Sequence, residues 1–160
     1  MICAAHLEDL KKSRLAERTI QAAGFYCAGR DEVQKILGFD AGCGGLLIPY
    51  PNQNGAGEYV RVKPDVPFII DGKPAKYLSP KNSGNRLYIP PSISMLARQN
   101  PKARIVITEG EKKALKAAEE EILAVALSGV YAWKDKRGPI KDLDLIAFKG
   151  RHVYLAFDSD

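Results

Sequence analysis

From residue 105 onward the chain alternates short apolar, β-branched runs with helical or polar stretches. IVITE (105–109) leads into EKKALKAAEEE (111–121), then ILAVALSG (122–129), IKDLDLIAF (140–148) and HVYLAFDSD (152–160). Strands that alternate with helical segments cannot pair as simple hairpins. They predict parallel strands joined by right-handed crossovers, the α/β class. Within the first helix, Ala114, Leu115, Ala118 and Ile122 fall near one face and are expected to pack on the sheet. In open α/β sheets ligands bind beyond the carboxyl ends of the strands. Glu109 leaves the first strand there, and Asp158 and Asp160 leave the third. Alternation along the extended segment puts both aspartates on one face, with Ser159 turned away.

Carboxylates brought together in this way must be compensated. Two of them about 4 Å apart repel by about 4 kcal/mol at an effective dielectric of about 20. A divalent cation is one remedy, and hard oxygen ligands at an open edge suit Mg²⁺ or Mn²⁺. Gly110 allows close backbone approach, and the free N–H groups of the following helix start favour an anion.

The upstream half reads differently. HLEDLKKSRL, AERTIQAAG and RDEVQKILG, between residues 6 and 39, predict up to three short helices, the last two stopped by Gly24 and Gly38. GGLLIPYP, the turn NQNGAG and EYVRVK predict a β-hairpin. FII, KYL and RLYI are short strand candidates in an irregular stretch, and Pro90, Pro91 and Pro101 frame a short helix. The expected organisation is a helical lobe over 1–40, a mixed β and loop subdomain over 41–100, and an α/β unit over 101–160.

Hydrophobic residues make up 46% of the 160 residues and charged ones 27%, which fits a globular chain. The longest apolar runs fall far short of the roughly 18 residues a membrane span needs, and the start lacks a secretory pattern, so a cytoplasmic protein is expected. Net charge is +5. Between Arg61 and Arg86 the cations Arg61, Lys63, Lys73, Lys76, Lys81 and Arg86 face only Asp65 and Asp71. Such a stretch fits a phosphate-contacting surface and equally a solvated sheet face. Trp133, in a basic loop, suits either base stacking or packing. Cys3, Cys27 and Cys43 form no paired ligand motif, although Cys3 and His6 have ligand-like spacing; they are read as small buried hydrophobes without assigned chemistry.

Glu109-Gly110 and Asp158-Ser159-Asp160 resemble the two acidic motifs of the Toprim domain shared by bacterial-type DNA primases, topoisomerases and related nucleases. Upstream, KPAKYLSP and NRLYI resemble segments that precede Toprim in primase polymerase cores, and GGLLIPYPNQNGAGEYVRV resembles their N-terminal hairpin. ITEGEKKAL is also similar to the helicase-primases of phages and mitochondria. Nearly the whole chain looks like an uncharacterised Toprim-associated domain of plasmid and phage replication proteins. Three departures stand out: Lys113 replaces an acidic position usual in bacterial primases, the zinc ribbon of primases is absent, and the chain stops within Toprim. The expectation is a front segment of a longer protein.

The resemblance implies a primase-like, Mg²⁺-dependent nucleotidyltransferase of a mobile element, this segment alone being inactive. Glu109, Asp158 and Asp160 would hold one or two Mg²⁺ ions, with single-stranded DNA template and nucleotides as partners and a helicase domain or partner alongside. Arg61, Lys63, Lys76, Lys81 and Arg86 would contact template or triphosphate. Lys112 and Lys113, beside Gly110, would neutralise phosphate near the metal or simply be solvated helix lysines. The alternatives are a DNA-binding module that keeps Toprim only as a scaffold, and a Toprim nuclease or recombination factor.

Overall fold

The computed structural model describes residues 1–51 and 58–158. The expected turn NQNGAG and the third expected acid, Asp160, lie outside the described residues. In chain order the elements are α1 (Ala4–Lys12), α2 (Glu17–Ala22), β1 (Tyr26–Ala28), α3 (Arg30–Leu37), β2 (Gly45–Tyr50), β3 (Tyr59–Pro64), β4 (Phe68–Ile70) and β5 (Lys73–Ala75). The second half adds α4 (Met95–Gln99), β6 (Ile105–Glu109), α5 (Glu111–Glu119), β7 (Ala124–Leu127), the small pair β8 (Lys134–Asp135) and β9 (Gly138–Pro139), a 3-10 turn (Lys141–Leu145) and β10 (Val153–Ala156).

The alternating half forms the parallel sheet expected from its sequence, in the order β10-β6-β7. β6 sits in the middle, pairing with β10 and β7, and its Ile105 and Ile107 join the core together with Val125 and Leu127 of β7. Thr108 lies opposite Ala156 on one side, and Glu109 opposite Leu127 on the other. A strip around Tyr88 extends the sheet beyond β7: Tyr88 and Ala126 exchange both backbone hydrogen bonds, at 2.8 and 2.9 Å. The upstream half is an antiparallel sheet, β1-β2-β3. Its hairpin needs glycine at its base, since a Cβ on Gly45 would meet the Lys63 carbonyl oxygen at 2.6 Å. One apolar cluster joins the halves: Leu10, Ile20 and Ile48 pack with Tyr88, Ala114, Leu115 and Ala126. Among the described residues no helix is long and apolar enough to cross a membrane.

Several local expectations are corrected. The region 6–39 is not wholly helical, because Tyr26–Ala28 pairs antiparallel with β2. KYL contributes only a bridge between Leu78 and Val62, while the strand lies earlier, at Lys73–Ala75. IKDLDLIAF winds only a 3-10 turn, since Asp142 is drawn to Arg86 Nε (2.7 Å) and the Leu87 N–H (3.0 Å). Cys3 is exposed, and Cys27 and Cys43 are half-buried, so the cysteines are not core hydrophobes. Ile122 does not extend the apolar face of α5 and is 48% exposed.

The last correction has a backbone cause. Glu121 takes a left-handed conformation (φ +59°), the Ile122 N–H donates to the Ala117 carbonyl, and the Glu121 N–H to that of Ala118. This is a Schellman stop with glutamate where glycine is favoured. Glu121→Gly is therefore expected to raise stability by about 1 kcal/mol, read as an increased denaturant midpoint at unchanged slope.

Candidate functional site

The carboxyl ends of β6 and β10 open on a cleft of about 700 Å³. Parallel pairing carries Glu109 and Asp158 to the same sheet edge, and both line this cleft. Between β6 and α5 the chain turns at Gly110, whose φ of +84° is accessible to glycine and strained for other residues. The turn places the α5 N-terminus, with Lys112 and Lys113, on the cleft wall. The Glu109 carboxylate has no hydrogen-bond or ion-pair partner among the described residues. Asp158 is exposed and ion-paired with Lys113, the residue that stands where an acid was the usual occupant.

The opposite wall comes from the antiparallel sheet and α1. Lys63 donates to Asp9 Oδ2 at 2.8 Å, and Lys112 reaches the same oxygen at 3.2 Å. Burial alone would push the Asp9 carboxyl up, but the two ammonium groups override it and hold its pKa below the usual carboxylate range. Lys76 is exposed on the cleft rim. Lys81 and Arg86 do not line the cleft. Lys81 is exposed beside Gly38, and Arg86 binds Asp142 and covers the Tyr59 ring at 5.6 Å. Trp133 lies with Tyr131, Val153 and Leu155 along a separate apolar groove.

Arg61 lines the cleft but is buried, and its guanidinium is directed at protein. Its Nη1 donates to Glu111 Oε1 at 2.6 Å, and the Tyr50 hydroxyl donates to the same oxygen, also at 2.6 Å. Burial opposes the charge on Arg61, yet the adjacent Glu111 carboxylate outweighs this and raises its pKa. Burial, reinforced by Glu111, pushes the Tyr50 phenol well above its ordinary value. The result is a dry Arg–Glu–Tyr cluster binding β2 and β3 to the first turn of α5.

Sequence reasoning missed Asp9, Tyr77, Glu111 and Ser128 as cleft residues. Tyr77 lies within the KPAKYLSP segment, where Arg61 stacks on its ring at 5.0 Å. Glu111 is two residues beyond the motif glutamate, and only its distant partner Arg61 reveals its part. Asp9 carries no local signal, since it acts through lysines far along the chain.

Comparison with known proteins bears on the fold. A family profile described as "Domain of unknown function (DUF3854)" matches residues 95–160. No curated protein matches the chain. Among solved structures the chain is similar to one described as the structure of the DnaG catalytic core, with a TM-score of 0.61 at 20% identity. That likeness covers 99% of this chain and 56% of the other, so the chain spans little more than half of the protein it resembles. The mixed α/β fold is shared with the matched part of that DnaG catalytic core.

Two outcomes follow from the cleft's electrostatics. Glu111→Gln leaves a buried guanidinium without its counter-charge and should cost about 3–5 kcal/mol in chemical denaturation. Replacing the whole cluster by apolar residues, Arg61→Met with Glu111→Leu and Tyr50→Phe, should recover most of that loss. Because the Asp9 pKa is lowered on folding, its contribution is complete well above the unfolded value of about 3.9 and fades as pH falls through the folded one. Asp9→Asn should accordingly flatten the acid limb of a melting-temperature profile below about pH 5.

Proposed function

We propose that this chain belongs to a primase-like replication protein of a mobile element, in which the cleft performs Mg²⁺-dependent nucleotidyl transfer for primer synthesis. The observation that carries the reading is the convergence of Glu109 and Asp158 from adjacent parallel strands, beside the Gly110 turn and the α5 N-terminus, in a DnaG-like fold. The motif resemblance to Toprim supports the same assignment, and it adds Asp160 as a third acid.

The donor set fits a hard divalent ion. Glu109 and Asp158 offer carboxylate oxygens at an open edge, and Mg²⁺ is commonly held by one or two carboxylates together with substrate phosphates and water. When bound, the ion would orient nucleotide phosphates and offset the charge that builds up in phosphoryl transfer. The chain's own residues do the rest. Lys76 faces solvent on the rim and is placed to meet a template or triphosphate phosphate. Lys63 and Lys112 share Asp9, which fixes their ammonium groups beside the cleft rather than leaving them to sweep solvent. Arg61 holds the wall in shape through Glu111. Lys113 is ion-paired with Asp158 and would have to release it for that carboxylate to hold an ion, leaving its ammonium free to meet a phosphate.

That last contact favours a second reading, a DNA-binding module in which Lys113 permanently neutralises Asp158 and the fold serves as scaffold. The two readings differ in their response to metal. Primer synthesis on single-stranded DNA by the full-length gene product should require Mg²⁺ or Mn²⁺ and be abolished by Glu109→Gln or Asp158→Asn. Lys113→Ala should tighten Mn²⁺ binding by roughly tenfold, followed by electron paramagnetic resonance, because one competing charge is removed. DNA affinity that is steeply salt-dependent but indifferent to divalent metal, with both acid variants unimpaired, would establish the scaffold reading instead.

A further inference from the structure

Away from the cleft, α1, β1 and the end of β3 bring four metal-competent groups together. Cys3 is the N-cap of α1, His6 lies in the first turn of that helix, and Cys27 is the middle residue of β1. The two sulfurs and a His6 ring nitrogen all lie within 4.8 Å of one another. The sulfurs are 2.8 Å apart, and the Cys3 N–H donates to Cys27 Sγ at 2.9 Å. His6 is buried, at 8% exposure, and its Nε2 is 2.8 Å from Asp65 Oδ1. We propose that Cys3, His6 and Cys27 form a thiolate–imidazole site for Zn²⁺ or a similar borderline-soft divalent ion, with Asp65 as the outer partner that orients His6.

The chemistry of the donors supports the choice of ion. A carboxylate accepting from Nε2–H fixes the imidazole tautomer with its lone pair on Nδ1, and metal-bound histidines are regularly held by such a carboxylate. Two thiolates and one neutral imidazole select Zn²⁺ over Mg²⁺, so this centre is chemically distinct from an all-oxygen cleft. Two thiolates neutralise the ion's double charge, and binding releases the two thiol protons. With metal–sulfur bonds of about 2.3 Å, a tetrahedral ion holds its sulfurs about 3.8 Å apart. The pair would therefore open by about 1 Å on loading. Cys3 is solvent-exposed, so water can take the fourth position. The ion would tie the N-terminal segment to β1 and, through His6 and Asp65, to the end of β3, two residues past Lys63 of the cleft.

The test uses the intact chain, stripped with a chelator and kept under a non-thiol reductant, then titrated with Co²⁺ and back-titrated with Zn²⁺. A stoichiometric, tetrahedral Co²⁺ spectrum with thiolate charge-transfer bands, lost on adding Zn²⁺, is expected. Cys3→Ser and Cys27→Ser should each abolish the thiolate bands or shift them to a one-sulfur pattern, with circular dichroism confirming the fold. Cys43→Ser, outside the cluster, should change nothing, and Asp65→Asn should weaken binding by roughly 10–100-fold. Absence of thiolate bands in the reduced chain would overturn the proposal, as would bands that survive both serine changes. A chain that binds no Co²⁺ when reduced but loses two hydrogens to a Cys3–Cys27 disulfide when oxidised would show a redox pair in its place.

Discussion

The contact of Arg61 and Tyr50 with Glu111 governs how the two halves of the molecule meet. Two polar side chains, from β2 and β3, converge on one carboxylate oxygen of α5 in a nearly dry setting. Such a cluster adds little net stability, because the cost of desolvating both charges offsets most of their attraction. What it supplies is register. An α5 shifted by one residue would leave a buried cation unpaired, so the first turn of the helix, and Glu109-Gly110 just before it, are held in one position relative to the hairpin. The cleft wall is built on that constraint.

The cleft is balanced rather than simply basic. Lys63 and Lys112 lean on Asp9, Lys113 on Asp158 and Arg61 on Glu111, while Lys76 has no ion-pair partner among the described residues. The net charge of +5 therefore does not translate into a row of uncommitted cations at the site. A polyanion entering here must exchange existing ion pairs for new ones. Such exchange favours phosphates placed in particular positions over indiscriminate attraction.

Much of the second half could be read from sequence because its information is local. Short continuous apolar runs at 105–109 and 124–127, separated by a helical pattern, leave little choice but parallel strands, and parallel strands in turn deliver Glu109 and Asp158 to one edge. The first half was less legible. Tyr26–Ala28 is too short to show a period and becomes a strand only because β2 offers it an edge. Arg61 looked like a phosphate-binding residue because its partner lies fifty positions on. Cys27 gave no sign of Cys3 and His6, since a turn of helix and a strand had to be placed before their spacing meant anything. Asp160 carries a motif signal, and the structure describes the chain only to Asp158.

The outer strand β10 carries one further implication. It pairs with β6 on one side, has no strand on the other among the described residues, and shows Tyr154 and Leu155 largely to solvent. An open ladder of N–H and carbonyl groups flanked by greasy side chains is a template for adding another strand. Preparations of this polypeptide by itself would thus tend to stick together as concentration rises, and a fused or co-expressed segment capable of occupying that margin should keep them dispersed.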